Sequence, residues 1–370
     1  MSFSAFRMNV INFVLTFYKN RANSKKMDTT IDKISFKRIL VINNKLLGDF
    51  LFCTPAIRAL KEKYPDAKIL VVLSPKNKGI VECNPFIDEV VYMDNSVSGV
   101  FRALHMAKRF KPEISVIFHS RTPYDIALSV FSGCPYIIKH YFNNDIKKLF
   151  EVCDDYILDV NKPPVINHLA LVKKLGCDIA GKKMFFPAEV KERDSDNVNV
   201  RVGYQLGASK SNRYLPVETL RDLTVQIKKQ FPSCEFHLFG APSEVELGEA
   251  FLSITEPTLH SDVVNHIGKT TLNKLADVVN NVDVLVTPDT GTLHVATALG
   301  VRTVSLFVCR KENGCEPQQD AHLHTIIYAS DYNQLAFDRT QPKPLEYISC
   351  EAVFNQVLNA IYQRQSQKVK

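Results

Sequence analysis

Apolar residues along this chain alternate between two spacings. Short, nearly unbroken apolar runs at residues 39–42, 68–73, 89–93, 114–118 and 136–138 read as strands buried on both faces. Helical spacing separates them: a helix opened by Gly48-Asp49 that carries Leu51, Ala56, Ile57 and Leu60 inward, then helices near 78–83, 99–110 and 124–131. Residues 140–165 read as irregular and polar, and 168–175 as helical. The alternation restarts with a strand at 198–205. It continues through helix 217–230, strand 235–239, helix 243–252, a strand near His266, helix 272–279, strand 282–286, helix 293–299 and strand 303–307. An amphipathic helix at 349–363 closes the pattern. Strands alternating with helices predict parallel sheets covered on both faces. The polar stretch 191–197 predicts a linker. The expected organisation is an extension at 1–36, Rossmann-like domains at 37–190 and 198–348, and a helix and tail at 349–370. No tandem repeat is present.

In parallel sheets of this kind ligands bind at the carboxyl ends of the strands. Three segments place reactive side chains there. Residues 281–307 give strand, turn, helix and strand in succession. The turn Pro288-Asp289-Thr290-Gly291 leads into the helix, and His294 follows within it. Free N–H groups at Thr290 and Gly291 suit a phosphate. Asp289 reads equally as a plain helix cap, and His294 as a phosphate contact or a structural histidine. After the first strand comes Leu47-Gly48-Asp49, with Thr54-Pro55-Ala56 beyond it. After the strand at 198–205 comes Gly207-Ala208-Ser209-Lys210, then Arg213 and Leu215-Pro216.

Taken together and in this order, the three segments resemble family 9 glycosyltransferases, the bacterial lipopolysaccharide heptosyltransferases, over roughly residues 36–360. The resemblance implies a GT-B α/β fold: two doubly wound Rossmann-like domains facing each other across a cleft that holds the active site. It implies transfer of heptose from ADP-heptose to a lipopolysaccharide inner-core acceptor with inversion. It makes Asp49 the match of the catalytic base and Arg213 the match of the cation on the donor diphosphate. Ser209, Lys210, Thr290, Gly291 and His294 lie around that diphosphate. Asp289 matches the residue on donor-sugar hydroxyls, and Glu244 matches an acid that holds the ribose. Glu244 also reads as an ordinary helix start. The last helix is expected to close against the N-terminal domain. The chain departs from the family at Leu215, where a tryptophan is usual, and at Val308-Cys309, where Gly-Pro is usual.

Composition narrows the partners. The formal charge of +7 favours an anionic ligand, and no nucleic-acid motif is present. Lys76, Lys78 and Arg121 follow strands and would suit a carboxylate- or phosphate-rich acceptor. Nine scattered cysteines without a C-x-x-C pair indicate reduced thiols and a cytoplasmic setting. No G-x-G-x-x-G follows the first strand, which disfavours a dinucleotide-dependent dehydrogenase. No Asp-x-Asp, the commonest signature of a metal-bound diphosphate, is read anywhere along the chain, so the expected mechanism uses no metal and no cofactor. Other readings of the same architecture are transfer from another nucleotide sugar, a nucleotide-sugar 2-epimerase, and a non-catalytic binding protein.

The N-terminal extension is apolar from Met8 to Tyr18. Residues 1–27 contain Arg7, Lys19, Arg21, Lys25 and Lys26 and no acid. This stretch is too short to span a bilayer. It reads as a signal peptide, as a helix packed on the domain, or as an interfacial helix drawn to anionic lipid. The last would place the protein peripherally on the cytoplasmic face of the inner membrane.

Overall fold

Uninterrupted runs of Val, Ile and Leu are stable only when both faces of the strand are covered. They lie so in the computed structural model, which describes residues 3–23, 29–81, 84–142, 147–158, 162–194, 199–310, 314–337 and 341–368. The chain divides into two compact units, Met1–Ala188 and Glu189–Lys370.

The first unit begins with α1 (Phe3–Asn23) and continues with β1 (Arg38–Asn43), α2 (Leu47–Leu51), α3 (Thr54–Lys63), β2 (Lys68–Leu73), β3 (Glu89–Tyr92) and α4 (Val97–Phe110). It ends with β4 (Ile114–His119), α5 (Tyr124–Phe131), β5 (Tyr136–Tyr141), β6 (Asp155–Leu158) and α6 (Pro164–Lys173). Its six strands are all parallel, in the order β3-β2-β1-β4-β5-β6. The strand order reverses between β1 and β4, which is where a doubly wound sheet opens a ligand crevice.

The second unit contains β7 (Val200–Gln205), α7 (Val217–Gln230), β8 (Cys234–Phe239), α8 (Val245–Ile254), β9 (Val263–Asn265) and α9 (Leu272–Asn281). It continues with β10 (Val284–Pro288), α10 (Gly291–Ala298), β11 (Thr303–Phe307), β12 (His324–Tyr328) and α11 (Cys350–Lys368). The order β12-β11-β10-β7-β8-β9, again parallel throughout, repeats the topology of the first sheet. Its reversal lies between β7 and β10.

Several expectations change. The helix from Gly48 to Leu60 is two helices. Pro55 has no N–H for the Leu51 carbonyl, and the Thr54 hydroxyl donates to that carbonyl instead, at 2.8 Å. The expected helix at 78–83 is a short turn at Pro75–Asn77 followed by further turns to residue 81, because Gly79 takes a φ of +89°. Residues 82–83 lie outside the described residues. The segment read as irregular holds the end of β5, all of β6 and the start of α6. β6 and β12 are edge strands, and their partial exposure blurs the apolar signal.

Residues 191–194 belong to the surface of the second unit. The Lys191 amide donates to Asp277 at 3.0 Å, and Arg193 pairs with Asp283 at 2.8 Å. Residues 195–197 of the expected linker lie outside the described residues. The final helix packs where its own apolar face leads it. Val353, Val357 and Ile361 join the core of the second unit, and Cys350 Sγ donates to the Thr219 carbonyl of α7. These contacts lie within the second unit.

α1 is a packed helix. Ile11 and Leu15 enter the core of the first unit, and Tyr18 meets the edge of Phe131 at 5.3 Å. Buried Lys19 donates to the Pro135 carbonyl at 2.7 Å and pairs with Asp154 at 2.6 Å. A buried lysine needs such partners to offset its desolvation. Residues 24–27 of the extension lie outside the described residues.

Candidate active site

Asp49 is at the third position of α2, just past the carboxyl end of β1. Its Oδ2 accepts from the Leu46 amide at 3.3 Å, and its main-chain carbonyl accepts from Asn43 Nδ2 at 2.8 Å. Its Oδ1 faces His119 Nδ1 at 3.0 Å. His119 ends β4, where a register shift sets it opposite Asn43. The pair therefore occupies the reversal point of the first sheet. Burial pushes the Asp49 carboxyl up. His119, the Leu46 amide and Lys45 more than offset it and hold the group below the usual carboxylate range.

A polar lattice fixes the loops around this pair. Ser120 Oγ donates to Asn44 Oδ1 at 2.6 Å, Asn44 Nδ2 donates to Asn95 Oδ1 at 3.0 Å, and Asn77 Nδ2 donates to the Lys45 carbonyl at 3.1 Å. The turns after β1, β2, β3 and β4 are thus tied together. Lys76, Lys78 and Arg121 are exposed, beyond the carboxyl ends of β2 and β4.

The second unit carries its own cluster at the reversal between β7 and β10. Arg213 Nη1 donates to Asp289 Oδ2 at 2.6 Å and to the Asp289 carbonyl at 3.1 Å, and Nη2 donates to Ser209 Oγ. The Leu206 carbonyl closes the loop by accepting from the Leu215 amide at 2.9 Å. Leu215 itself is buried in the core, so an aliphatic side chain fills the place expected for an aromatic one. Thr290, not Asp289, occupies the N-cap of α10, and Gly291 opens that helix. Asp289, Thr290 and Gly291 are half-buried, Ser209 and Lys210 are exposed, and His294 is buried inside α10.

Glu244 is placed differently from a surface acid. It is only 7% exposed. Its Oε2 accepts from the Ala241 amide at 2.9 Å and from Gln205 Nε2 at 3.3 Å. Gln205 Oε1 in turn accepts from Thr292 Oγ1 at 2.7 Å. A Cβ on Gly207 would stand 2.1 Å from the Glu244 carboxyl carbon, so the glycine is what lets the acid sit beneath the loop. Burial raises the Glu244 pKa against the lowering by those two hydrogen bonds.

Sequence reading missed His119, Asn43, Asn44, Gln205 and Thr292. Only the ends of β1, β4 and β7 and the start of α10 mark them, and apart from the Asp49 partner of Asn43 the partners named above are distant in the chain. It also passed over one Asp-x-Asp, Asp194-Ser195-Asp196. Asp194 pairs with Arg201 at 3.2 Å on the surface of the second unit, away from any strand end on the ligand side, and residues 195–196 lie outside the described residues. Among the described residues, no group of three His, Cys, Asp or Glu side chains is arranged to hold a metal ion.

The same architecture recurs in solved structures. A glycosyl transferase of family 9 from Veillonella parvula superposes with a TM-score of 0.77 at 20% identity, covering 90% of this chain and 99% of that one. The E. coli ADP-heptose lps heptosyltransferase II superposes with a TM-score of 0.72 at 18% identity, covering 89% and 99%. At these identities they show the fold, which is GT-B: two doubly wound Rossmann-like units. A lipooligosaccharide heptosyltransferase 2 from Haemophilus influenzae is 33% identical over 70 residues, and that match spans 19% of this chain and 20% of the relative. The model of glycosyltransferase family 9 (heptosyltransferase) matches residues 140–344, more than half of the 370. The chain belongs to glycosyltransferase family 9, the heptosyltransferases, and is a glycosyltransferase.

Proposed function

We propose that the protein transfers a heptose from ADP-heptose to the inner core of lipopolysaccharide with inversion at the anomeric carbon. The observation that carries this reading is the pair of clusters at matching reversal points. A half-buried, ionised carboxylate stands on the first sheet, and Arg213 stands beside an open helix N-terminus on the second. In this reading Asp49 takes the proton of the acceptor hydroxyl as its oxygen attacks the anomeric carbon. The bond to the diphosphate breaks on the opposite side. Arg213, Ser209, Lys210 and the amides of Thr290 and Gly291 receive the charge that develops there, with His294 ordering the helix start. Asp289 binds donor-sugar hydroxyls, Glu244 holds the ribose, and Lys76, Lys78 and Arg121 meet the anionic acceptor. A calorimetric panel of nucleotide sugars, followed by transfer to a lipid A carrying Kdo, tests the proposal. Tight ADP-heptose binding and acceptor-dependent product support it. A new sugar isomer formed from donor alone would make the protein an epimerase.

Arg213 and main-chain amides provide the positive potential that a divalent ion provides in metal-dependent transferases. Transfer is therefore expected to survive excess EDTA. Loss of activity that returns with Mg²⁺ or Mn²⁺ would refute the metal-independent mechanism.

A membrane surface is the remaining partner in this proposal. Opposite its packed face, α1 presents Val10, Phe13 and Phe17, exposed by 47%, 73% and 52%. Arg21 continues that stripe, and Lys147 and Lys148 lie exposed in the neighbouring turn, where Lys148 donates to Asn9. No described helix is long and apolar enough to cross a membrane. An apolar stripe rimmed by cations fits the headgroup region of an anionic bilayer. Phe13→Ser with Phe17→Ser is expected to cut sedimentation with phosphatidylglycerol vesicles and to slow transfer to lipid-linked acceptor, with transfer to a delipidated acceptor preserved. Equal sedimentation of variant and parent would remove α1 as the anchor.

A further inference from the structure

We propose that His119 is the positioning residue of the base: it holds Asp49 in place and keeps it ionised. This rests on the reading of Asp49 as the group that takes the acceptor proton. An ionised carboxylate only accepts hydrogen bonds, so at 3.0 Å His119 Nδ1 carries the hydrogen and donates it to Asp49 Oδ1. With Oδ2 turned to the Leu46 amide, both oxygens are directed and the carboxylate plane is fixed. The imidazole is itself held by stacking on Phe142, with ring centres 4.0 Å apart and planes 24° from parallel. A hydrogen bond and a ring stack thus connect carboxylate, imidazole and aromatic ring, drawn from α2 after β1, the end of β4 and the residue after β5.

Two further histidines back this pair, and neither adds charge. His140 lies 4.3 Å from Phe142 and 5.6 Å from His168, by ring centres. Burial lowers the pKa of His140 to about 2 and that of His168 to about 3, so both are neutral at working pH. Cys53, the other titratable group near Asp49, is buried and held as a neutral thiol. The groups that hold Asp49 below the usual carboxylate range are therefore His119, the Leu46 amide and Lys45. Burial favours the protonated acid and His119 favours the anion. Without His119 the desolvation goes uncompensated and the Asp49 pKa rises. A base protonated at higher pH loses activity at higher pH, so the acid limb of the profile moves upward.

His119→Ala is expected to lower kcat by roughly 10- to 100-fold, the loss usual when a residue orienting a functional group is removed, with donor KM little changed. The acid limb of kcat/KM moves to higher pH. His119→Asn, which keeps a side-chain N–H, recovers part of both. Adding His119→Ala to Asp49→Asn costs little more than Asp49→Asn alone, because the two act as one unit. A His119→Ala enzyme with parental kcat and an unmoved limb overturns the proposal. So does equal, full loss in the Ala and Asn variants, which would make the imidazole itself the proton acceptor. If the Ala variant does not fold, nitrogen NMR of the unmodified protein decides: a hydrogen on Nδ1 at neutral pH supports the proposal, and a bare Nδ1 overturns it. Near-parental turnover in Asp49→Asn would instead bring down the base reading itself, whatever His119 does.

Discussion

Asp49→Asn is expected to lower turnover by about 10²- to 10⁴-fold, the usual worth of a general base, while affinity for the donor holds. The amide matches the carboxylate in shape, and its one oxygen still accepts from His119 or from Leu46. It cannot accept from both. One directed hydrogen bond is lost, and a cost of about 1 kcal/mol in stability should accompany the kinetic effect. That is far too small to unfold a two-unit protein, so a folded, donor-binding and nearly inactive variant is the predicted outcome. Calorimetry for ADP-sugar affinity and single-turnover kinetics with acceptor separate the two effects. A variant turning over at close to the parental rate would end the assignment.

The second large effect belongs to Arg213→Ala. Arg213 is held by the Asp289 carboxylate, the Asp289 carbonyl and Ser209, so its guanidinium is fixed before any ligand arrives. Removing it does two things. The diphosphate loses a preorganised cation, and the half-buried Asp289 carboxylate is left facing the incoming phosphates. Both act in the ground state and in the transition state. A loss of about 10²- to 10³-fold in kcat/KM, with weaker ADP binding measured directly, is the expected result. Arg213→Lys should lie between, because a lysine keeps the charge and loses the planar fork that engages Asp289. Unchanged ADP affinity in the Ala variant would move the role to Lys210.

The sequence made the central strands legible, because β1, β2, β4 and β10 are mostly apolar and buried along nearly their whole length. Edge strands β6 and β12 carry half-exposed positions and cannot be told from loops by pattern alone. The break between α2 and α3 was written in Pro55, whose missing N–H outweighs the continuous apolar stripe around it. The same contrast holds at the site. Asp49, Arg213, Asp289 and Thr290 follow strands within recognisable small-residue turns, so each could be named one at a time. His119 and Gln205 have no such frame. His119 matters only because β4 lies beside β1, a neighbourhood created by a crossover of some seventy residues. Glu244 could be seen as an acid near a ligand loop, but not as one engaged by two loops at once, since Gly207 and Gln205 reach it from another strand.

The anchoring of α1 also bears on how the chain is made. Lys19 and its partner Asp154 are 135 residues apart. At ordinary elongation rates of roughly 5–20 residues per second, the helix leaves the ribosome about 7–27 s before that carboxylate exists. Throughout this interval α1 has apolar side chains on both flanks, Ile11 and Leu15 on one and Val10, Phe13 and Phe17 on the other, with neither covered. The nascent chain is then at its most adhesive. Any apolar surface that meets the segment in this interval competes with the folding first unit for the flank of Ile11 and Leu15.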